Sequence, residues 1–255
     1  EDDEDDGVHV SIDKFPVHAI CLEKCDSTLD KLIVDNDLND EEWGSIVMQV
    51  LFMLLTYQRL FNFTHNDLHT NNIMFITTNK EYLYYKYNGR HYKVPTFGRI
   101  FKIIDFGRAI YKFRGNIICS DSFYKDGDAS TQYNFEPFYN KNKPRLEPNF
   151  SFDLCRLGCA LYDFIVEEGD DPESLTGIYS IMVNWCYDNK DRNILYKNNG
   201  DERYPDFKLY KMIARSVHKH TPHNVISLSY FDRYHWTKKN KKQKIFNIDN
   251  LPECV

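Results

Sequence analysis

The feature that most constrains this chain is a polar segment, residues 65–75, that lies between two apolar segments. Its sequence is His-Asn-Asp-Leu-His-Thr-Asn-Asn-Ile-Met-Phe. Residues 46–61 before it carry apolar side chains near helical spacing, and residues 73–76 predict a short strand. A second polar cluster, Asp-Phe-Gly at 105–107, follows the strand-like residues 100–104. Because these polar side chains are held between apolar, rigid elements, the pattern is typical of an active site.

Two residues of the first cluster and the whole of the second have the spacing of a catalytic core. Asn72 follows Asp67 by five positions, and Asp105, Phe106 and Gly107 form an unbroken Asp-Phe-Gly triplet. In this order the pattern resembles the catalytic core of protein kinases. The resemblance implies an α+β, protein kinase-like fold that is mainly the helical C-terminal lobe, with an inserted β-hairpin.

The resemblance also implies a role for each polar group. Asp67 would orient the substrate hydroxyl and accept its proton, while Asn72 and Asp105 would bind magnesium beside ATP. The alternative for Asp67 is a loop aspartate that makes only local backbone hydrogen bonds. The implied cofactors are ATP and Mg²⁺, and the implied reaction is transfer of the γ-phosphoryl group to a protein hydroxyl.

Other residues are assigned to binding or support by the same resemblance. Backbone groups of Glu23 and Cys25 would face the adenine at the hinge, and Met74 would lie beneath it, although core packing alone explains Met74 equally well. The residues implied to support the site are His65, His69, Phe106, Gly107 and Asp153. His69 stands where most Ser/Thr kinases have a lysine, so the charge of the transferred phosphate must be neutralised by the metal or by another group.

Residues 82–94 distinguish this chain from most kinases. Asn88-Gly89 between two aromatic-rich runs predicts a β-hairpin in the region between the two polar clusters. Together with the Leu-His pair after Asp67, this insertion is similar to haspin, an atypical kinase. The similarity covers residues 17–168 and implies a haspin-like kinase of a large DNA virus.

A later apolar segment, which begins at Ser151, predicts a helix that Gly169 would end. Asp153 lies in its first turn, with Gly158 five positions further on. This resembles the kinase helix whose buried aspartate accepts hydrogen bonds from the catalytic loop. The alternative for Asp153 is a helix cap.

The remaining elements follow from local patterns. Residues 17–23 predict a strand, the last of the small lobe in a kinase, and residues 29–33 predict a short helix. Residues 39–42 have the signature of a helix start. Amphipathic patterns predict two more helices, within residues 174–185 and 206–217.

The distribution of charge predicts a domain boundary. The net charge is −6, and the six acidic residues 1–6 account for all of it. We therefore expect an acidic linker or insertion over residues 1–16 and a kinase-like C-terminal lobe, including the hinge strand, over residues 17–255. The nearly neutral remainder argues against nucleic-acid binding. The seven cysteines show no complete zinc-site spacing and predict reduced thiols and a cytoplasmic location, in the host cytoplasm or the virion.

One departure from the kinase pattern leaves the function open. Residues 1–16 contain no Gly-rich phosphate loop, and Lys14 lacks the Val-Ala-Ile-Lys context of the kinase strand lysine. The first alternative to an active protein kinase is a pseudokinase or structural docking module that lacks a complete small lobe. The second is a small-molecule phosphotransferase of the aminoglycoside or choline kinase type. The expected partner is a protein substrate, with no membrane, because the apolar run at 50–55 is too short to span one.

Overall fold

The computed structural model describes residues 10–17, 19–166, 171–237 and 243–255. The acidic run 1–6 and the predicted helix end at Gly169 lie outside these residues.

The described residues form a mixed α+β structure. Its helices are α1 (Leu29–Asp35), α2 (Asp40–Phe61), α3 (Phe152–Ile165), α4 (Gly177–Asn184), α5 (Lys208–Ser216) and α6 (Pro222–Val225). Its strands are β1 (Ser27–Thr28), β2 (Ile73–Thr77), β3 (Tyr82–Tyr87), β4 (Arg90–Pro95), β5 (Arg99–Ile103), β6 (Tyr111–Phe113), β7 (Asn116–Ile118) and β8 (Phe246–Asn247). They form three small sheets, in the strand orders β1-β2-β5, β4-β3-β8 and β6-β7.

Helix α2 runs through the main hydrophobic core. The side chain of Asn39 accepts hydrogen bonds from the first-turn amides, and Glu42 reaches back to the Asn39 backbone, so the predicted helix start is confirmed. By length and composition α2 could cross a membrane, but 61% of its most apolar window is buried within the protein. Apolar residues from Trp43 to Leu55 pack against sheet and helices, as in the central helix of a folded domain.

A buried polar side chain of α2 positions strand β5. The Gln49 amide accepts a hydrogen bond from the backbone N–H of Phe101 at 3.0 Å and donates one to the carbonyl of Arg99 at 3.3 Å. Strand β5 therefore has a fixed position against α2. Because β5 leads directly into Asp105, this contact also fixes where the second polar cluster begins.

The pairing of β2 with β5 brings the two polar clusters together. The strands are antiparallel, with Ile73 opposite Ile103. The ladder continues one step further, since the Ile104 N–H donates to the carbonyl of Asn72 at 3.0 Å. Asn72, just before β2, and Asp105, just after β5, therefore lie at the same end of the paired strands, although they are about thirty positions apart in sequence.

The hairpin predicted from Asn88-Gly89 is confirmed. Strands β3 and β4 pair in register from Tyr82 opposite Pro95 to Tyr87 opposite Arg90. Both turn residues have positive φ, 50° for Asn88 and 73° for Gly89, as two-residue hairpin turns require. Their amides donate to the carboxylate of Asp249. The hairpin packs on α2 through Tyr85, whose ring stacks on Phe52 at 4.0 Å.

The strand predicted over residues 17–23 is wrong. Residue 17 and residues 19–23 have no strand structure, and Ile20 and Leu22 are 84% and 80% exposed. A strand needs a neighbouring backbone and a buried face, and neither is present beside these described residues. Regular pairing starts only at Ser27, which lies opposite Phe75.

Gly158 allows α3 and α4 to approach closely. A Cβ at this position would lie 2.9 Å from the Cβ of Trp185 and 3.1 Å from the carbonyl oxygen of Met182. Neither atom can move without shifting α4 or the residue that follows it.

We expect Gly158→Ala to lower the free energy of unfolding by roughly 1–2 kcal/mol, because overpacking outweighs the helix propensity gained from alanine. Urea denaturation measures this change. Asn184→Ala, at an exposed position of α4, is the control. An equal or smaller loss for Gly158→Ala than for Asn184→Ala would show that the helices are not tightly packed there.

Candidate active site

The loop before β2 is held by a buried carboxylate. Asp153, in the first turn of α3, accepts hydrogen bonds from the backbone N–H of His65 and of Asn66, both at 2.9 Å. Its side chain is fully buried, and this burial raises the pKa of Asp153. The carboxylate therefore binds the loop, as the kinase resemblance implies, and no hydrogen bond to the first-turn amides of α3 is present.

Asn66 links three segments of the site, and sequence analysis did not select it. Its backbone has a φ of 66°, and its amide donates to the carbonyls of Thr64 and Arg108. The Tyr133 hydroxyl donates to its Oδ1 at 2.6 Å. Asparagine tolerates the left-handed conformation better than most residues, which is the only local signal for this role.

His65 joins the loop to the end of β5. Its Nδ1 accepts from the Asp67 N–H at 3.3 Å, so its Nε2 carries the proton and donates to the carbonyl of Ile104 at 2.9 Å. His65 is completely buried, and its ring packs against Phe106 at 5.6 Å between centroids. These contacts give His65 a supporting position.

Asn72 and Asp105 present the oxygen ligands of the predicted magnesium site. The Nδ2 of Asn72 donates to the Asp67 carbonyl at 2.9 Å, which leaves its Oδ1 available to a cation. Asp105 is exposed, has a left-handed backbone, and accepts from the Gly107 N–H at 3.2 Å. An amide and a carboxylate oxygen fit Mg²⁺, which commonly takes one or two protein ligands and completes its shell with phosphates and water.

No group of three or more His, Cys, Asp or Glu side chains that could hold a metal occurs among the described residues. Asn72 and Asp105 offer two oxygen ligands, which is the number with which proteins commonly bind Mg²⁺ beside a phosphate.

The carboxylate of Asp67 has two partners from the helical part of the fold. The hydroxyl of Tyr210, on α5, donates to its Oδ1 at 2.6 Å. Arg156, on α3, has its Nε 3.9 Å from the same oxygen and donates to the Tyr210 hydroxyl at 2.9 Å. The Tyr210 ring also contacts Arg108, whose guanidinium carbon lies 5.5 Å from the ring centroid. Two guanidinium groups therefore surround the residue that binds Asp67.

Arg156 supplies a permanent positive charge close to His69. Burial lowers the pKa of His69, the charge of Arg156 lowers it further, and the carboxylates of Asp67 and Asp105 act in the opposite direction. His69 is therefore neutral at physiological pH, and it lies within electrostatic reach of both carboxylates. Sequence analysis missed Arg156, although it lies three positions after Asp153 on the same helix.

Of the residues predicted to bind adenine, Met74 lies in the central strand of the sheet β1-β2-β5, whereas Glu23 and Cys25 lie before β1. Met74 is half-buried in β2, opposite Lys102 of β5, and Lys102 forms an ion pair with the carboxylate of Glu23. This ion pair joins the segment that contains Glu23 and Cys25 to β5. Adenine binding by these residues stays a prediction.

The α+β fold and the joined loops are compatible with a protein kinase-like domain. No family model matches the chain. A protein of Acanthamoeba polyphaga mimivirus, provisionally named as a serine/threonine-protein kinase, is 28% identical over 149 residues. The alignment covers 55% of this chain but only 34% of the relative's length. The similarity supports a kinase-like relationship with a viral protein.

We expect Asp153→Ala to lower the free energy of unfolding by about 2–5 kcal/mol, because two buried N–H groups lose their acceptor. Amide hydrogen exchange should accelerate at residues 65 and 66, and urea denaturation measures the global loss. Asp163→Ala on the same helix is the control, since it removes only an exposed hydrogen bond to the Tyr196 hydroxyl. Equal losses for the two variants would contradict the role of Asp153.

The pKa of His69 should respond with opposite sign to its two charged neighbours. Arg156→Gln removes a positive charge and should raise the pKa, whereas Asp67→Asn removes a negative charge and should lower it. An NMR titration of the His69 ring protons measures both shifts, with Arg192→Gln as a distant control. Shifts of the same sign would show that Arg156 and Asp67 do not act on His69 through their charges.

Proposed function

We propose that this chain is the C-terminal lobe of a haspin-like Ser/Thr protein kinase that transfers the γ-phosphoryl group of ATP-Mg to a protein hydroxyl. The proposal is carried by the contact between two loops that are distant in sequence. The Ile104 N–H donates a hydrogen bond to the Asn72 carbonyl, and the Asn72 side-chain amide donates one to the Asp67 carbonyl. This arrangement supports a site in which one carboxylate serves a hydroxyl substrate and two oxygen ligands hold a cation.

In the proposed mechanism each side chain has one task. Asp67 orients the substrate hydroxyl and accepts its proton. Asn72 and Asp105 hold magnesium, which neutralises phosphate charge when it is bound. Arg156 adds positive charge where the neutral His69 supplies none. Asp153 and His65 keep the loop in shape through their hydrogen bonds.

The remaining assignments belong to the same proposal. Residues 17–255 form the kinase-like lobe, residues 1–16 are an acidic linker or insertion, and Glu23, Cys25 and Met74 contact adenine. The inserted hairpin β3–β4 supports the haspin-like subtype. The substrate is a protein, the site of action is the cytoplasm of the host or the virion, and neither nucleic acid nor membrane is a partner.

One observation favours a pseudokinase as the second candidate. The Asp67 carboxylate already accepts a hydrogen bond from Tyr210, and a substrate hydroxyl would have to share or replace this contact. A pseudokinase would use the same lobe as a docking surface without phosphoryl transfer. Thermal unfolding with and without ATP and Mg²⁺ tests whether the site binds nucleotide. A nucleotide at about 100 times its dissociation constant would stabilise the protein by ~2.7 kcal/mol, whereas a docking module without a nucleotide site would show no such stabilisation.

Phosphoryl transfer from radiolabelled ATP to a panel of proteins and small alcohols tests the proposed function. We expect Asp67→Asn to lower kcat roughly 10²- to 10⁴-fold, as loss of a general base does, and Asp105→Asn to weaken Mg²⁺-dependent stabilisation by ATP. Asp201→Asn, at an exposed position in another loop, should change neither. Full activity of Asp67→Asn would refute the assignment, and transfer to small alcohols alone would identify a small-molecule phosphotransferase.

A further inference from the structure

A cavity of about 900 Å³ lies beside the candidate active site. Its walls come from the segment between β7 and α3, together with Arg215 of α5. It has five cationic side chains and no carboxylate among the lining residues that the structure describes: Lys125, Lys141, Lys143, Arg145 and Arg215. Because the acidic residues 1–6 account for the whole net charge of −6 and the remainder is nearly neutral, this wall is a local concentration of positive charge.

Three of the cations are free to bind a ligand. Lys125, Lys141 and Lys143 are exposed, and within the described ranges none of them forms an ion pair. The other two are engaged differently. Arg145 pairs with Glu147, and the Arg215 guanidinium donates to the carbonyls of Lys211 and Thr131.

Asn134 fixes the loop that carries two of these lysines. Its Nδ2 donates to the carbonyls of Asn140, Lys143 and Pro144, and its Oδ1 accepts from the N–H of Asn140 at 2.8 Å. Its backbone also pairs with Leu146 in both directions. Since every polar atom of the Asn134 side chain is used, the loop presents Lys141 and Lys143 at defined positions before a ligand arrives.

Aromatic side chains give the same cavity an apolar surface. Tyr124 is 54% exposed and packs edge to face against Phe138, with 5.7 Å between ring centroids. Tyr139 lies at the rim, under the guanidinium of Arg145 at 5.1 Å. A ligand that combines negative charges with short apolar stretches would match both kinds of surface.

The floor of the cavity is connected to the catalytic loop. Tyr133 lines the cavity, and its hydroxyl donates to Asn66, the residue before Asp67. Helix α5 lies at both places, because it contributes Arg215 to the cavity and Tyr210 to Asp67. A chain bound in the cavity would therefore be separated by one tyrosine side chain from the loop that carries Asp67.

We infer that this cavity binds an acidic segment of the protein substrate, with Asp or Glu carboxylates on Lys125, Lys141 and Lys143. The inference extends the proposed function, and it depends on that function only where it identifies the bound segment as part of the substrate. A peptide fits better than a nucleic acid, because the cations are confined to one concave site beside the catalytic loop rather than spread along a stripe that could follow a phosphate backbone.

Fluorescence anisotropy with the purified protein tests the binding directly. The probes are a labelled Glu/Asp-rich peptide that contains one serine, its Gln/Asn counterpart, and a single-stranded oligonucleotide of similar length. We expect the acidic peptide to bind most tightly and the triple variant Lys125→Gln, Lys141→Gln, Lys143→Gln to bind it about tenfold more weakly, because three exposed ion pairs are lost. Higher salt should weaken binding to the wild type more than to the variant.

The control removes the same charge elsewhere. The control variant carries three substitutions outside the cavity lining, Lys80→Gln, Lys190→Gln and Lys197→Gln. It should bind the acidic peptide as the wild type does. Equal binding of the acidic and Gln/Asn peptides, equal losses for the two triple variants, or tighter binding of the oligonucleotide would each overturn the inference.

A second arm separates failure of this inference from failure of the proposed function. Phosphoryl transfer from ATP to the serine of the acidic peptide and of its Gln/Asn counterpart is measured for the wild type and for the triple variant of the cavity lysines, called the cavity variant. If the wild type transfers phosphate but the cavity variant keeps the wild-type ratio of kcat/KM for the acidic peptide over the neutral one, the kinase assignment stands and the inference fails. If the acidic peptide binds through the three lysines without any transfer, the cavity assignment stands and the kinase assignment fails.

Discussion

The site depends on one buried carboxylate that accepts two backbone hydrogen bonds. Asp153 projects from the first turn of α3 and holds the N–H groups of His65 and Asn66, so a helix in the second half of the chain sets the shape of a loop in the first half. Removing a charge from water is costly unless hydrogen bonds replace the lost hydration. These two hydrogen bonds compensate part of that cost. Because they hold the two residues that precede Asp67, they also fix the position of Asp67.

A second constraint comes from the sheet. The β2–β5 register and the Ile104–Asn72 hydrogen bond bring the two polar segments to the same end of these paired strands. Gln49 holds β5 against α2. Rigid elements therefore position the polar groups, while the groups themselves remain in loops that a substrate can reach. Helix α3 supplies Arg156 and helix α5 supplies Tyr210 to the surroundings of Asp67, and α5 also contributes Arg215 to the basic cavity.

Local sequence signals identified most of the elements correctly. The capping box of Asn39 and Glu42 and the Asn88-Gly89 turn depend on residues close in sequence, and both form as expected. The strand over residues 17–23 failed because a strand depends on a partner that local sequence does not reveal.

The same distinction holds in the site. The spacing of Asp67, Asn72 and Asp105 is visible in the sequence, whereas the contact between Tyr210 and Asp67 spans 143 positions and has no local signal. Arg156 was missed for the same reason, because its position on α3 matters only once the loop is docked on that helix. The basic cavity was also missed, since its lysines are ordinary exposed residues until Asn134 fixes their loop.

The account requires Asp67, Asn72 and Asp105 to surround one nucleotide-bound cation. Paramagnetic line broadening by Mn²⁺ in the presence of ATP measures this directly, because the effect falls steeply with distance from the ion. We expect the amide signals of residues 67, 72 and 105–107 to broaden first, and only when ATP is present, while that of Gly200 stays sharp. Broadening that begins elsewhere, or that does not depend on ATP, would contradict the account.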